Sequence, residues 1–171
     1  MKTSILDQLR SFILPFTVLL IIPAAILWLS GFSIGWGLRL PWDAVAVILG
    51  AIIIGNGLYF FAMTIRLFIN IGKGTLAPWS PTRKLVIVGP YRHVRNPMIS
   101  SVLAVLLGES IAFGSVEIFA WFLLVFGINH VYFITSEEPG LYKRFGDEYL
   151  EYKKNVPRWI PRLTPWSGTD D

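Results

Sequence analysis

Apolar positions in this chain run in long unbroken stretches, with none of the alternation expected of a half-buried sheet. A helix needs about 20 apolar residues to cross the hydrocarbon core of a bilayer. Residues 11–30 and 44–71 each meet that length. The next apolar stretch is too long for one crossing and suits two, with Gly114-Ser115 as the break between them. The pattern predicts an all-α, polytopic membrane protein with four spans, over about residues 11–30, 44–71, 97–113 and 116–136. A loop at 72–96 and a polar helical segment at 137–171 complete a single membrane domain. The first run is too long for a cleaved leader. It contains Pro15 and Pro23 and is expected to be a retained helix kinked by its prolines.

Composition agrees with this reading. Hydrophobic residues make up 54% of the chain and charged residues 15%, a balance that excludes an ordinary soluble domain. The charged residues are placed unevenly. Lys73, Arg83, Lys84, Arg92 and Arg95 fall in the loop, and Lys143, Arg144, Lys153, Lys154, Arg158 and Arg162 in the C-terminal segment. By the positive-inside rule both are cytoplasmic. Lys2 and Arg10 put the N-terminus on the same side, as an even number of spans requires. Glu109 and Glu117 flank the opposite tip. The net charge of +4 therefore reflects topology and anionic lipid, and no nucleic-acid partner is expected. The absence of cysteine excludes disulfides and thiolate metal sites.

Some polar and small residues inside the spans have packing explanations. Ser100, Ala104, Gly108 and Ala112 form a smooth stripe at four-residue spacing, which is expected to pack on the fourth helix of the same hairpin. Gly31 and Gly35 have the spacing of a helix contact. Asn56, Arg66 and Asn70 on the second span are expected to face protein or water, with Arg66 snorkelling near the helix end. With only His93 and His130 in the chain, no metal site is read. Gly72-Lys73-Gly74 lacks the rest of a phosphate loop.

Two segments carry chemistry. Gly89-Pro90-Tyr91-Arg92-His93-Val94-Arg95-Asn96-Pro97 joins a turn former, an aromatic, potential cations and a helix-starting proline. It is either a basic membrane-surface loop or an anion site built from Arg95 and the free N–H groups of the following helix. After the last span come Glu137-Glu138, Arg144, Tyr149 and Tyr152. Glu137 and Glu138 have a structural alternative in ion pairs with Arg144 or Lys143 and a functional one as a base. Tyr149 and Tyr152, with Phe145 a turn earlier, share one helix face. They serve either as an interfacial aromatic anchor or as an adenine slot. His130 and Glu137 are seven residues apart, so one helical face would carry both, roughly 10 Å apart along the axis. Asn129 belongs to the same set. His130 is either a packed, hydrogen-bonded ring or a working one.

The pairing of Gly89-Pro90-Tyr91…Arg95-Asn96-Pro97 with Glu137-Glu138-Pro139-Gly140-Leu141…Phe145-Gly146-Asp147-Glu148-Tyr149-Leu150-Glu151-Tyr152-Lys153-Lys154-Asn155-Val156-Pro157 resembles the isoprenylcysteine carboxyl methyltransferases, within a wider group that includes membrane phospholipid methyltransferases. The resemblance covers roughly residues 85 to 161. It implies an S-adenosylmethionine-dependent methyltransferase acting on a lipophilic or lipidated acceptor, with the cofactor between the loop, the final helices and the C-terminal segment. Carried over, Tyr91, Arg95, Asn96, Pro97, Tyr149 and Tyr152 would border the cofactor, and His130 is counted with them. Glu137, Glu138, Arg144 and Arg158 are the catalytic candidates, the arginines as holders of a carboxylate. The chain departs from the family pattern at Asn96, where the family has His, at Ile99, where it has Tyr, and at Ser101, where it has Gly. A carboxylate acceptor needs no general base, being ionised near neutral pH. An amine acceptor must lose a proton, and Glu137 or Glu138 would take it. A phospholipid or amine N-methyltransferase, a nicotinamide-dependent membrane reductase and a non-catalytic membrane protein are the alternative readings.

Overall fold

The computed structural model describes residues 13–32, 34–70 and 84–168. Lys2, Arg10, Lys73, Arg83 and the Gly72-Lys73-Gly74 segment lie outside those residues. Helix α1, Ile13–Ser30, contains the π-helical turn Thr17–Ile21 just before Pro23. Proline has no N–H to donate to the carbonyl four residues back. The wider turn absorbs that gap, so the deformation expected of the prolines takes the form of a π turn. Helix α2, Trp42–Asn70, follows a loop tied to it by Asp43, whose Oδ1 accepts the Trp36 N–H at 2.6 Å.

Helix α3, Pro97–Phe113, starts with proline at its head, where a missing N–H costs nothing. It ends at Gly114, whose φ of 62° is the left-handed value of a helix terminus. Ser115 then caps helix α4, Val116–Tyr132, by accepting the Ile118 N–H at 3.1 Å. The hairpin therefore breaks where the sequence predicts. α4 passes through a second π turn, Phe133–Glu137, into helix α5, Glu138–Asn155. Gly146 (φ 55°, ψ −129°) interrupts the helical geometry of α5.

Among the described residues, three helical stretches are long and apolar enough to cross a membrane. They start at Ile13, Trp42 and Val116, and they carry outward-facing Leu20, Leu29, Ile52, Tyr59, Leu124 and Ile128. α3 is shorter, at 17 residues, and is the most enclosed of the four apolar helices, with Val102, Val105, Leu106, Gly108 and Ala112 all buried. The molecule is an all-α polytopic membrane protein.

The smooth stripe on α3 packs against α2, not α4. A Cβ added at Gly50 would come within 2.6 Å of the Ala112 nitrogen and the Gly108 oxygen, and one at Gly57 within 3.1 Å of the Ser101 oxygen. Two glycines one heptad apart on α2 thus meet the small residues of α3 backbone to backbone. α4 takes another side of α3, where Val102, Leu103 and Leu106 pack with Val125, Phe122 and Phe126. Gly31 and Gly35 do not form a helix–helix contact surface. Both lie in the loop after α1 with positive φ, and the Gly35 N–H bonds to the Ala112 carbonyl at 3.0 Å. Asn56 is exposed, and its amide returns to its own helix at the Ile52 carbonyl, 2.8 Å away, which satisfies one of its donors at the surface of a span. Arg66 and Asn70 are exposed near the end of α2.

Candidate functional site

Three pieces of chain meet where α3 begins and α4 runs into α5. The first is the loop before α3. Its 3₁₀ turn, Gly89–Arg92, buries Tyr91. The second is α5, and the third is the extended segment after it, which starts where Val156 leaves the helix at φ −117°, ψ 121° ahead of Pro157.

That last segment is strapped along the loop. The Arg95 N–H donates to Pro157 O at 2.9 Å, the Arg162 N–H to His93 O at 2.9 Å, and the Trp166 N–H to Arg92 O at 3.0 Å. Side chains repeat the pattern. Arg92 Nε donates to Trp166 O at 2.5 Å, and His93 Nδ1 lies 2.7 Å from Arg162 O. Much of the loop's basic character is therefore spent on holding the C-terminal strap. Beneath it Tyr149, Tyr152 and Val156 form a buried core with Leu85, Ile87, Phe145 and Trp166 around them.

Glu138 is the centre of the site. It is 5% exposed, in the first turn of α5, and its carboxylate gathers three cations from three places in the chain. Arg95 Nη1 and Arg158 Nε reach Oε1 at 2.8 and 2.6 Å, and Lys153 Nζ reaches Oε2 at 2.9 Å. Arg95 Nη1 also donates to the Tyr149 hydroxyl at 3.3 Å. One carboxylate among three cations leaves the cluster positively charged overall. Burial pushes the Glu138 carboxyl up, but donors from Arg158 and Lys153 and the charge of Arg95 outweigh it and hold it down at about 2. The buried phenols are pushed the other way. Desolvation raises Tyr91, with Glu137 adding to it, and desolvation also raises Tyr149 and Tyr152. All three stay protonated near neutral pH. The Tyr152 hydroxyl donates to Tyr91 O at 2.7 Å.

The structure brings together Tyr91, Arg95, Glu138, Tyr149, Tyr152 and Arg158 from the sequence-derived set, with Asn96 and Pro97 directly following Arg95 at the head of α3. No side chain caps that helix end. Tyr149 and Tyr152 do share a face, but both are packed inside, so neither stands as an exposed anchor at a membrane surface. His130, Glu137 and Arg144 have partners of their own, and Glu137 also acts electrostatically on Tyr91. His130 Nδ1 accepts the Trp159 indole N–H at 3.0 Å and stacks with Phe126. Glu137 Oε2 accepts the Tyr132 hydroxyl at 3.3 Å. A π turn brings residues five apart together. It also removes the shared face that the seven-residue spacing of His130 and Glu137 predicts. Arg144 is exposed, bonding Gly140 O at 3.2 Å and lying over the Phe145 ring. Asn129 returns its amide to Val125 O at 2.8 Å.

Sequence reasoning misses Lys153, Trp159 and Trp166. Two tryptophans in an otherwise polar tail are the available signal, because a large apolar ring there needs a surface to cover. Trp159 covers Phe126, His130 and Phe133, and Trp166 covers Tyr152.

Comparison with known proteins gives the family. The chain is 36% identical over 79 residues to the Protein-S-isoprenylcysteine O-methyltransferase of Schizosaccharomyces pombe. That alignment takes in 46% of this chain and 34% of the relative, so the chain spans only about a third of that protein's length. The profile of the phospholipid methyltransferases matches residues 45–148, more than half of the chain and the whole run from α2 into α5. The chain belongs to the phospholipid methyltransferase family.

Proposed function

We propose that this protein transfers a methyl group from S-adenosylmethionine to a lipophilic acceptor at the membrane, onto the carboxylate of an isoprenylcysteine-like or other hydrophobic acid. The observation that carries the reading is the cationic cluster around Glu138. Its excess positive charge suits carboxylates, and the Nε of Arg95 is buried without a hydrogen-bond partner, a donor still to be satisfied. The cofactor's own carboxylate fits that donor, with Asn96, the uncapped N–H groups at the head of α3 and Arg158 beside it. When bound, the cofactor supplies an electrophilic methyl group on sulfur.

The residues of this chain then have positioning roles. Arg95 and Arg158 hold anions, Glu138 fixes both guanidinium groups, and the strap shelters the Arg95–Glu138 pair from water. Glu138 itself is a poor base, since a carboxylate held at about 2 has little affinity for a proton. This favours an acceptor that is already ionised over an amine, which would also be repelled by the cluster. N-methylation of a phospholipid amine is the second reading, supported by the family's name. The basic loop and tail, read by the positive-inside rule, put the site on the cytoplasmic face.

The test is calorimetric binding of S-adenosylhomocysteine to the detergent-purified protein, followed by methyl transfer from labelled S-adenosylmethionine. Wild type should bind, and Arg95→Ala and Arg158→Gln should each bind about tenfold more weakly or worse, the loss of one charge-assisted hydrogen bond. Label should enter N-acetyl-S-farnesylcysteine. No binding to folded wild type overturns the methyltransferase reading, and label on phosphatidylethanolamine alone replaces the carboxylate acceptor with the amine.

A further inference from the structure

A second polar feature lies on α3 away from the cluster. The sequence places Glu109 at the tip of the α3–α4 hairpin, but the structure puts it one turn inside the end of α3, 8% exposed and facing inward. Its Oε2 is shut off from solvent and has no hydrogen-bond partner in the protein. Glu109 lines a cavity of about 350 Å³ between α1, α2 and α3, whose other walls include Phe16, Leu20, Leu58, Phe61 and Val105. Phe16, Leu20 and Leu58 are about half exposed on the outer faces of spanning helices, so the cavity opens sideways, toward lipid.

We propose that this cavity binds a single-chain amphiphile whose head donates a hydrogen bond, an alcohol or an amine, to Glu109. Each alternative occupant fails on a physical ground. A buried carboxyl oxygen without a donor is costly, so a pure hydrocarbon leaves the defect in place. A buried water needs two to four polar partners, and among the described lining residues only Glu109 carries a polar side chain. The volume sits at the low end of the roughly 300–1,000 Å³ of ligand pockets and takes one chain. An ionisable group at membrane depth, facing a cavity, is where a ligand site is expected. The ligand is not the methyl acceptor. Glu109 is 13 residues beyond Asn96 on α3, roughly 20 Å along the helix axis, so a head bound at Glu109 cannot also reach the Arg95 cluster. The site stands independently of which acceptor is methylated.

The test uses the full chain in detergent micelles and dicyclohexylcarbodiimide, an apolar reagent that modifies carboxyl groups sheltered from water, with labelled peptides identified by mass spectrometry. Glu109 should be labelled. Dodecanol should protect it at about a tenfold lower concentration than dodecane, the factor one hydrogen bond confers. With dodecylamine present, a dodecylamide at Glu109, formed when the amine attacks the activated carboxyl and releases dicyclohexylurea, assigns an amine head instead. Leu58→Trp, which narrows the mouth from an exposed position, should block labelling while the protein keeps its S-adenosylhomocysteine binding. An unlabelled Glu109, equal protection by dodecane, or unchanged labelling of Leu58→Trp overturns the proposal.

Discussion

At the residue scale, Glu138 is the anion on which the site's cations depend. Removing one partner of a buried ion pair leaves uncompensated charge, at a typical cost of about 3–5 kcal/mol. Glu138→Gln strands Arg95 and Arg158 together and should lower stability by that order, read as a shift in denaturant midpoint. The carboxyl also gives a pH signature. Its folded value of about 2 lies below the ordinary 4.5, so the unfolded chain binds the proton more readily in between. The stabilisation is therefore complete above about pH 4.5 and is lost as pH falls toward 2. Unfolding midpoints should fall through this window in wild type and change much less in Glu138→Gln; parallel curves would refute the assignment. Glu138, Arg95 and Arg158 are legible in the sequence as motif residues, but their convergence on one carboxylate is not. Lys153 reads as a topological charge like its neighbour Lys154, since nothing local distinguishes the lysine that faces inward from the one that does not.

At the element scale, the α2–α3 contact rests on glycines. Gly50→Ala places a methyl group against α3 backbone that has no room to yield, and should cost about 1–3 kcal/mol or more by forcing the helices apart. Gly55 on the same helix has nothing within 4 Å of an added Cβ, so Gly55→Ala should be neutral or stabilising by up to about 1 kcal/mol from helix propensity alone. Thermal unfolding of the two variants decides the matter, and equal effects would refute the close approach. The stripe of small residues on α3 is plain in the sequence, and its partner is not. Periodicity says that a face is smooth, while the identity of the helix against it depends on complementary glycines at a distant place in the chain. The π turns were hidden for a related reason. Their local composition is ordinary, and in α1 only Pro23 marks where the ladder must give way.

For the whole molecule, the proposed orientation has a clean test because the protein has no cysteine of its own. Single cysteines at Tyr142 or Leu163, both exposed, should react with a membrane-impermeant maleimide only from the cytoplasmic side, and one at Val116 only from the other. The reverse pattern would invert the topology. The sequence by itself determined that this is an all-helical membrane protein, where the hairpin breaks, and which two segments hold the polar chemistry. Long apolar runs and juxtamembrane charge answer to the bilayer, a solvent whose demands are read one residue at a time. Tertiary structure alone decided that the C-terminal strap is laced onto the loop before α3, that three cations share Glu138, and that Glu109 turns inward to a cavity rather than outward at a tip. Each of these depends on side chains far apart in sequence and on the direction each takes from its backbone, quantities that no local pattern of polarity specifies.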